Sequence, residues 1–168
     1  MLRAINVLPA GTWDRNLEAD SIALTHDNRH RRRIAMKSEG GTEFLLDLTE
    51  AAYLRDRDGL ALDNGRIVRV VAAEEPVAEV TGNAHLIARV AWHIGNRHVP
   101  AQILPDRIRI ARDHVLEEMI ERLGARVMRV TAAFDPEPGA YATGEHSHAH
   151  DHSHDHGHCH SHGHGHDR

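Results

Sequence analysis

From His146 to His166 every second residue is histidine, eleven in all, with Ser, Ala, Asp, Gly and Cys between them. Such a stretch cannot build a packed core. It holds no large apolar side chain to offset the entropy of ordering, so it is expected to be disordered when free of metal. Whatever folds must therefore lie in the residues before it, about 145 of them, a length that suits two small domains. The alternation with spacers also differs from the uninterrupted run of an expression tag, and it reads as native sequence.

The chemistry of the tail follows from the imidazole ring. With an ordinary pKa near 6.5, most such rings are neutral at pH 7 and carry a lone pair for a metal. Imidazole suits nickel, zinc and copper. A flexible chain with a ligand at every second position can place several rings around one ion in many registers. His146, His148, His150, His152, His154, His156, His158, His160, His162, His164 and His166 are thus candidate ligands for several loosely held ions. Cys159 is an auxiliary thiolate ligand among them. The tail alone does not choose the metal, because copper stands above nickel in the Irving–Williams order.

The formal charge is −5 with histidines neutral, which argues against a general nucleic-acid binder needing a basic face. One cysteine excludes an intramolecular disulfide and fits a reducing compartment. No run reaches the length of a membrane-spanning helix, and Met1–Ile5 lacks the pattern of a secretory signal. The expectation is a cytoplasmic protein without membrane contact.

Before the tail the hydrophobic period changes once. Residues 1 to about 71 read as short strands: Ser21–Thr25, Arg31–Ser38 after an Asp-Asn turn, Thr42–Leu48 after Gly40-Gly41, then Leu60–Leu62 and Ile67–Val71 around Asn64-Gly65. Asn-Gly between apolar runs is a strong hairpin signal. Thr49–Arg55 could form a helical turn, and Ala72–Pro76 reads as a linker. Beyond it Val77–Thr81 is a strand. Ile87, Val90, Ala91 and Ile94 then form a helical stripe capped at Gly82-Asn83 and stopped at Gly95-Asn96. Ala101–Leu104 and Ile108–Ala111 read as strands. Asp113 caps a second stripe of Leu116, Met119, Ile120 and Leu123 that ends at Gly124. A last strand alternates Met128, Val130, Ala132 and Phe134 before Asp135–Gly139 ends the domain. The fold class expected is α+β: a small all-β domain (1–75), a ferredoxin-like βαββαβ domain (76–135) and the histidine-rich tail (136–168).

A motif inside the second domain narrows the function. Trp92-His93-Ile94-Gly95-Asn96-Arg97-His98-Val99-Pro100 resembles the Gly-Asn-Arg-His motif of the UreE urease accessory family. Asp113-His114-Val115-Leu116 resembles its Asp-His-Val-Leu element. Arg31-Arg32-Arg33, Leu48, Asp58-Gly59, Leu62, Gly65 and Val70 look like its N-terminal pattern. The resemblance runs from roughly residue 15 to 134, with a tail of the same kind. It implies a homodimer whose two His98 imidazoles share one ion. It implies a nickel metallochaperone, not an enzyme, that delivers Ni(II) to apo-urease together with a GTPase and other accessory proteins; Zn(II) or Cu(II) could bind in vitro. It also implies that the first domain contacts partners.

Read from the residues, His98 should sit on a surface turn after the helix, with Gly95, Asn96 and Arg97 shaping that turn. His93 reads as structural or interface-forming. His114 is a weaker ligand candidate. Some family members carry another histidine two residues earlier, where Arg112 stands here, so that pair is broken. His85 is expected on an exposed or partly packed helix face. His26 and His30 fall in a polar turn, and Arg29 and Arg31–Arg33 in a solvated strand or turn. A storage protein acting through the tail alone is one alternative. A metallohydrolase is another, against which the folded part has no His-Glu-x-x-His or similar cluster.

Overall fold

The computed structural model describes residues 1–138, which hold two sheets. The first is six-stranded: β1 (Leu2–Leu8), β2 (Glu18–Leu24), β3 (His30–Lys37), β4 (Glu43–Tyr53), β5 (Gly59–Leu62) and β6 (Ile67–Ala72). Their order is β2-β6-β5-β1-β4-β3. β1 thus lies inside the sheet, parallel to β4 and antiparallel to β5. Phe44, Leu46 and Leu48 of β4 alternate inward and join Ala4, Ile22, Leu60, Leu62, Val68 and Val70 in one core. The Asn64-Gly65 hairpin forms as the sequence indicates. Gly65 takes the positive φ (80°), and its N–H donates to the Leu62 carbonyl at 3.0 Å. Asn64 keeps a negative φ and accepts from the Arg66 N–H at 3.0 Å, so the loop is held by one glycine and one side chain.

Thr49–Arg55 is not helical. β4 continues to Tyr53 with Leu48–Ala51 bulged out, because Arg33 pairs with Asp47 while Arg31 pairs with Ala52. Leu48 and Leu54 are both buried in the first core. The expected linker is also strand for most of its length. β7 (Glu74–Thr81) begins within it and pairs with β10 (Arg126–Ala133) from Glu74↔Ala133 onward. β9 (Arg107–Ala111) pairs with β7 only from Val77, so Pro76 lies outside that ladder, where its missing N–H is tolerated.

With α1 (Ala84–Gly95), β8 (Ala101–Leu104) and α2 (His114–Arg122), the second region has the βαββαβ order. Its antiparallel sheet runs β10-β7-β9-β8, the ferredoxin-like arrangement. Asn83 caps α1 by accepting from the Leu86 N–H at 2.9 Å. Asp113 caps α2 by accepting from the N–H groups of Val115 (2.9 Å) and Leu116 (3.0 Å). Val90 and Ile94 of α1 and Leu116 and Ile120 of α2 close over Ala78, Val80, Ile108 and Ile110. In β10 it is Val127, with Ala125 before it, that joins this core. The alternating set Met128, Val130 and Ala132 faces the other side of the sheet.

On that other side the chain does not end at β10. Phe134–Glu137 forms a strap that runs from the β10 edge to the β8 edge. The Arg109 Nη1 donates to the Ala133 carbonyl (3.1 Å), the Asp135 N–H to Gln102 Oε1 (3.4 Å), and the Glu137 N–H to the Ala101 carbonyl (2.9 Å). The first domain covers the strap. Arg29, expected to be solvated, is fully buried instead. Its guanidinium donates to Asp135 Oδ1 at 2.5 Å and to the Phe134 carbonyl, and it lies 5.3 Å over the Tyr53 ring. Arg55 Nη2 donates to the Pro136 carbonyl at 3.2 Å. The His26 ring, half-buried, stands 5.3 Å from Phe134 and 5.5 Å from Tyr53. The polar turn of the sequence is therefore part of the contact between the two sheets. No helix among the described residues is long and apolar enough to cross a membrane.

Candidate metal centre

The turn after α1 carries the feature that stands out from ordinary surface. Ile94, 1% exposed, anchors the last helical turn in the core. The Val99 N–H then reaches back to the Ile94 carbonyl (3.4 Å) and the His98 N–H to the Gly95 carbonyl (2.9 Å). This pair of bonds is the Schellman closure, whose left-handed residue is usually glycine. Here it is His98, with φ 54°. A side chain in that conformation costs roughly 1–2 kcal/mol relative to its ordinary backbone. The cost is borne by an exposed imidazole.

Its neighbours shape the same turn. Arg97 Nη1 donates to the His93 carbonyl at 3.0 Å, satisfying one of the carbonyls that a helix end leaves without a partner. Gly95 has an ordinary φ, and a Cβ added to it would meet nothing within 4 Å, so its flank is open. Asn96 continues in helical conformation, its N–H donating to the Trp92 carbonyl at 3.0 Å. Trp92 is 63% exposed and meets the His93 ring edge-on at 4.9 Å. With His85, Ala88, Arg89 and His93 it lines an open depression of about 350 Å³ on the outer face of α1. His93 is half-buried in this face, and His85 is exposed on it.

His114, the first residue of α2, is exposed. Arg112, which breaks the histidine pair, serves a buried ion pair instead. Its Nε donates to Glu117 Oε1 at 2.6 Å, while Arg129 Nε donates to Oε2 at 3.0 Å. Burial alone would raise the pKa of this carboxyl, 3% exposed, but the hydrogen bonds from the two arginines outweigh it and hold the group below its usual range. No sequence pattern marked Glu117 as buried. The same is true of Glu79, 5% exposed between Arg107 and Arg109.

Among the described residues no three His, Cys, Asp or Glu side chains are grouped closely enough to hold a metal ion. The predicted tail ligands, the eleven histidines from His146 to His166 and Cys159, lie outside the described residues. His30 is exposed on the edge strand β3. At this turn the described residues thus place an exposed imidazole on a strained backbone, with open space and an exposed indole beside it.

Residues 2–73 match the model of the UreE urease accessory protein N-terminal domain, and residues 75–167 that of its C-terminal domain. The urease accessory protein UreE of Bradyrhizobium sp. (strain ORS 278) is 53% identical over 148 residues, covering 88% of this chain and 70% of the relative. The UreE of Chelativorans sp. (strain BNC1) is 51% identical over 148 residues, covering 87% and 90%. That of Rhodobacter capsulatus is 49% identical over 144 residues, covering 86% and 89%. Both domain models and these relatives span nearly the whole chain, and the protein belongs to the UreE urease accessory protein family.

Proposed function

We propose that the protein is a nickel carrier for urease assembly, which collects Ni(II) and delivers it to apo-urease without catalysing a reaction of its own. The observation that carries this reading is His98, an exposed imidazole kept on an anchored turn at a backbone cost, where glycine would fit better. One imidazole does not hold an ion, and the described part of the chain groups no further ligands. A second copy completes the site most simply. The exposed Trp92 and the open depression along α1 give an apolar surface for such a homodimer, and the open flank of Gly95 allows close approach of its partner.

Two imidazoles with water or tail histidines form an incomplete, exchangeable coordination shell. A four-ligand structural site would retain its ion instead. The tail buffers nickel, the His98 pair holds the ion for transfer, and a partner displaces the tail ligands. The partner is apo-urease within its accessory complex, which includes a GTPase. The site of action is the cytoplasm. His114 and Cys159 are subsidiary ligands. Zn(II) and Cu(II) compete in vitro because imidazole does not exclude them. Ligating imidazoles must shed protons, so capture should weaken in acid.

Nickel titration of the full-length chain with all eleven tail histidines and Cys159 changed to serine tests the site. One tight ion per two chains is expected, with loss of at least about a hundredfold in affinity, about 2.7 kcal/mol, on His98→Ala. Unchanged binding in His98→Ala would rule the site out. Loss of all tight binding on silencing the tail would favour storage instead.

A further inference from the structure

The last carbonyls of α1 each have a donor, but not the donors a regular helix would give them. The Trp92 carbonyl accepts from the Asn96 N–H at 3.0 Å and the Gly95 carbonyl from the His98 N–H at 2.9 Å. The Ile94 carbonyl takes two, the N–H groups of Arg97 (3.0 Å) and Val99 (3.4 Å). Arg97 has thus left the helical pattern, in which its N–H would bond the residue four before it. The carbonyl it gives up is that of His93, and there the Arg97 guanidinium takes the place of the backbone donor.

The end of α2 shows that the closure alone does not demand this. Ala125 and Gly124 close on Ile120 and Glu121 in the same way. At the position equivalent to Arg97, however, the Leu123 N–H keeps its regular bond, to the Met119 carbonyl at 3.1 Å. The Leu123 side chain packs against the core, whereas that of Arg97 is exposed and folds back on its own helix. The residue that follows is a glycine after α2 and the left-handed His98 after α1. The tightened turn and its guanidinium occur together at the end that must hold an imidazole in a strained backbone.

We propose that Arg97 is a positioning residue for His98: its guanidinium supplies the bond that the His93 carbonyl loses, and so holds the tightened turn that presents the His98 ring. The inference rests on the carrier reading above. Without the guanidinium the Arg97 N–H is drawn back to the His93 carbonyl, and the turn that presents His98 is populated less. A hydrogen bond of this kind shifts such a balance about threefold to tenfold. Nickel affinity falls by up to the same factor, since only the competent turn binds.

The first measurement needs no metal. Backbone amide exchange is followed by NMR in the full-length chain with and without Arg97→Met, a change at an exposed side chain that leaves both cores intact. The His98 and Val99 amides should exchange about threefold to tenfold faster, and those of Gly124 and Ala125, in the matching bonds after α2, should not change. Arg97→Lys keeps a cationic donor and should restore most of the protection. The second measurement is Ni²⁺ affinity, by competition with a chromophoric chelator, in the full-length chain whose tail histidines and Cys159 are serine. Arg97→Met should weaken the tightest site at least about twofold, and Arg97→Lys should recover it. Unchanged exchange at His98 and Val99, equal acceleration at all four amides, or local acceleration with unchanged nickel affinity overturns the proposal. His98→Ala separates the two readings. If it leaves nickel binding intact, the carrier reading fails; if it abolishes binding while Arg97→Met binds like wild type, only the positioning role fails.

Discussion

The two helices of the second domain end in the same way and are used differently. Both close with a Schellman pair: Val99 and His98 reach back to Ile94 and Gly95 after α1, Ala125 and Gly124 to Ile120 and Glu121 after α2. At the left-handed position α2 has Gly124, φ 98°, which adopts that backbone freely. α1 has His98. The α2 side is built for stability, with Glu117 buried between Arg112 and Arg129. The α1 side leaves Trp92 in solvent and accepts strain for an imidazole. One motif thus carries two residue choices, glycine after α2 and a backbone-strained, exposed imidazole after α1.

The largest effect should come from the stable side. Glu117→Ala leaves two arginines without their buried partner and should cost about 2–3 kcal/mol, read as a lower denaturant midpoint, with nickel affinity unchanged. The same carboxyl gives the pH dependence its sign. Its folded pKa is depressed, so its contribution is complete above the ordinary glutamate value near 4.3 and is lost as pH falls through the depressed folded value. Acid unfolding of Glu117→Gln should therefore show a shallower loss of stability below about pH 4.3 than wild type.

A smaller effect is expected at the conventional cap. Gly124→Ala meets no neighbour within 4 Å, so its cost is backbone strain alone, about 1–2 kcal/mol by thermal or chemical melting. The smallest effect is the most pointed. His98→Gly should raise stability by about 0.5–1 kcal/mol while removing the tight nickel site. A lower melting temperature for His98→Gly would mean that the imidazole supports the fold, and the contrast between the two helix ends would collapse.

Much of this architecture was legible because it is local. The 3.6-residue stripes, the caps at Asn83 and Asp113 and the Asn64-Gly65 turn each follow from a few neighbouring residues. His98 was legible by its motif and by the helix stop before it, though its left-handed backbone was not. What escaped depends on distant parts of the chain. The β4 bulge is set by its register with β3, and Glu117 is buried where Arg112 and Arg129 converge on it. Arg29 looked solvated because its acceptors at Phe134 and Asp135 lie more than a hundred residues on. The strap has no periodicity or composition that distinguishes it from a chain leaving its domain.

The placement of β1 sets a schedule for synthesis. Its ladder partners are Phe44–Leu46 on one side and Gly59–Leu62 on the other. Once made, β1 therefore waits for some fifty further residues, several seconds at about 5–20 residues per second. During that interval Leu2, Ile5, Val7 and Leu8 have no native neighbours, and high contact order makes the later pairing slow as well. The nascent first domain thus presents these side chains until β4 and β5 have followed.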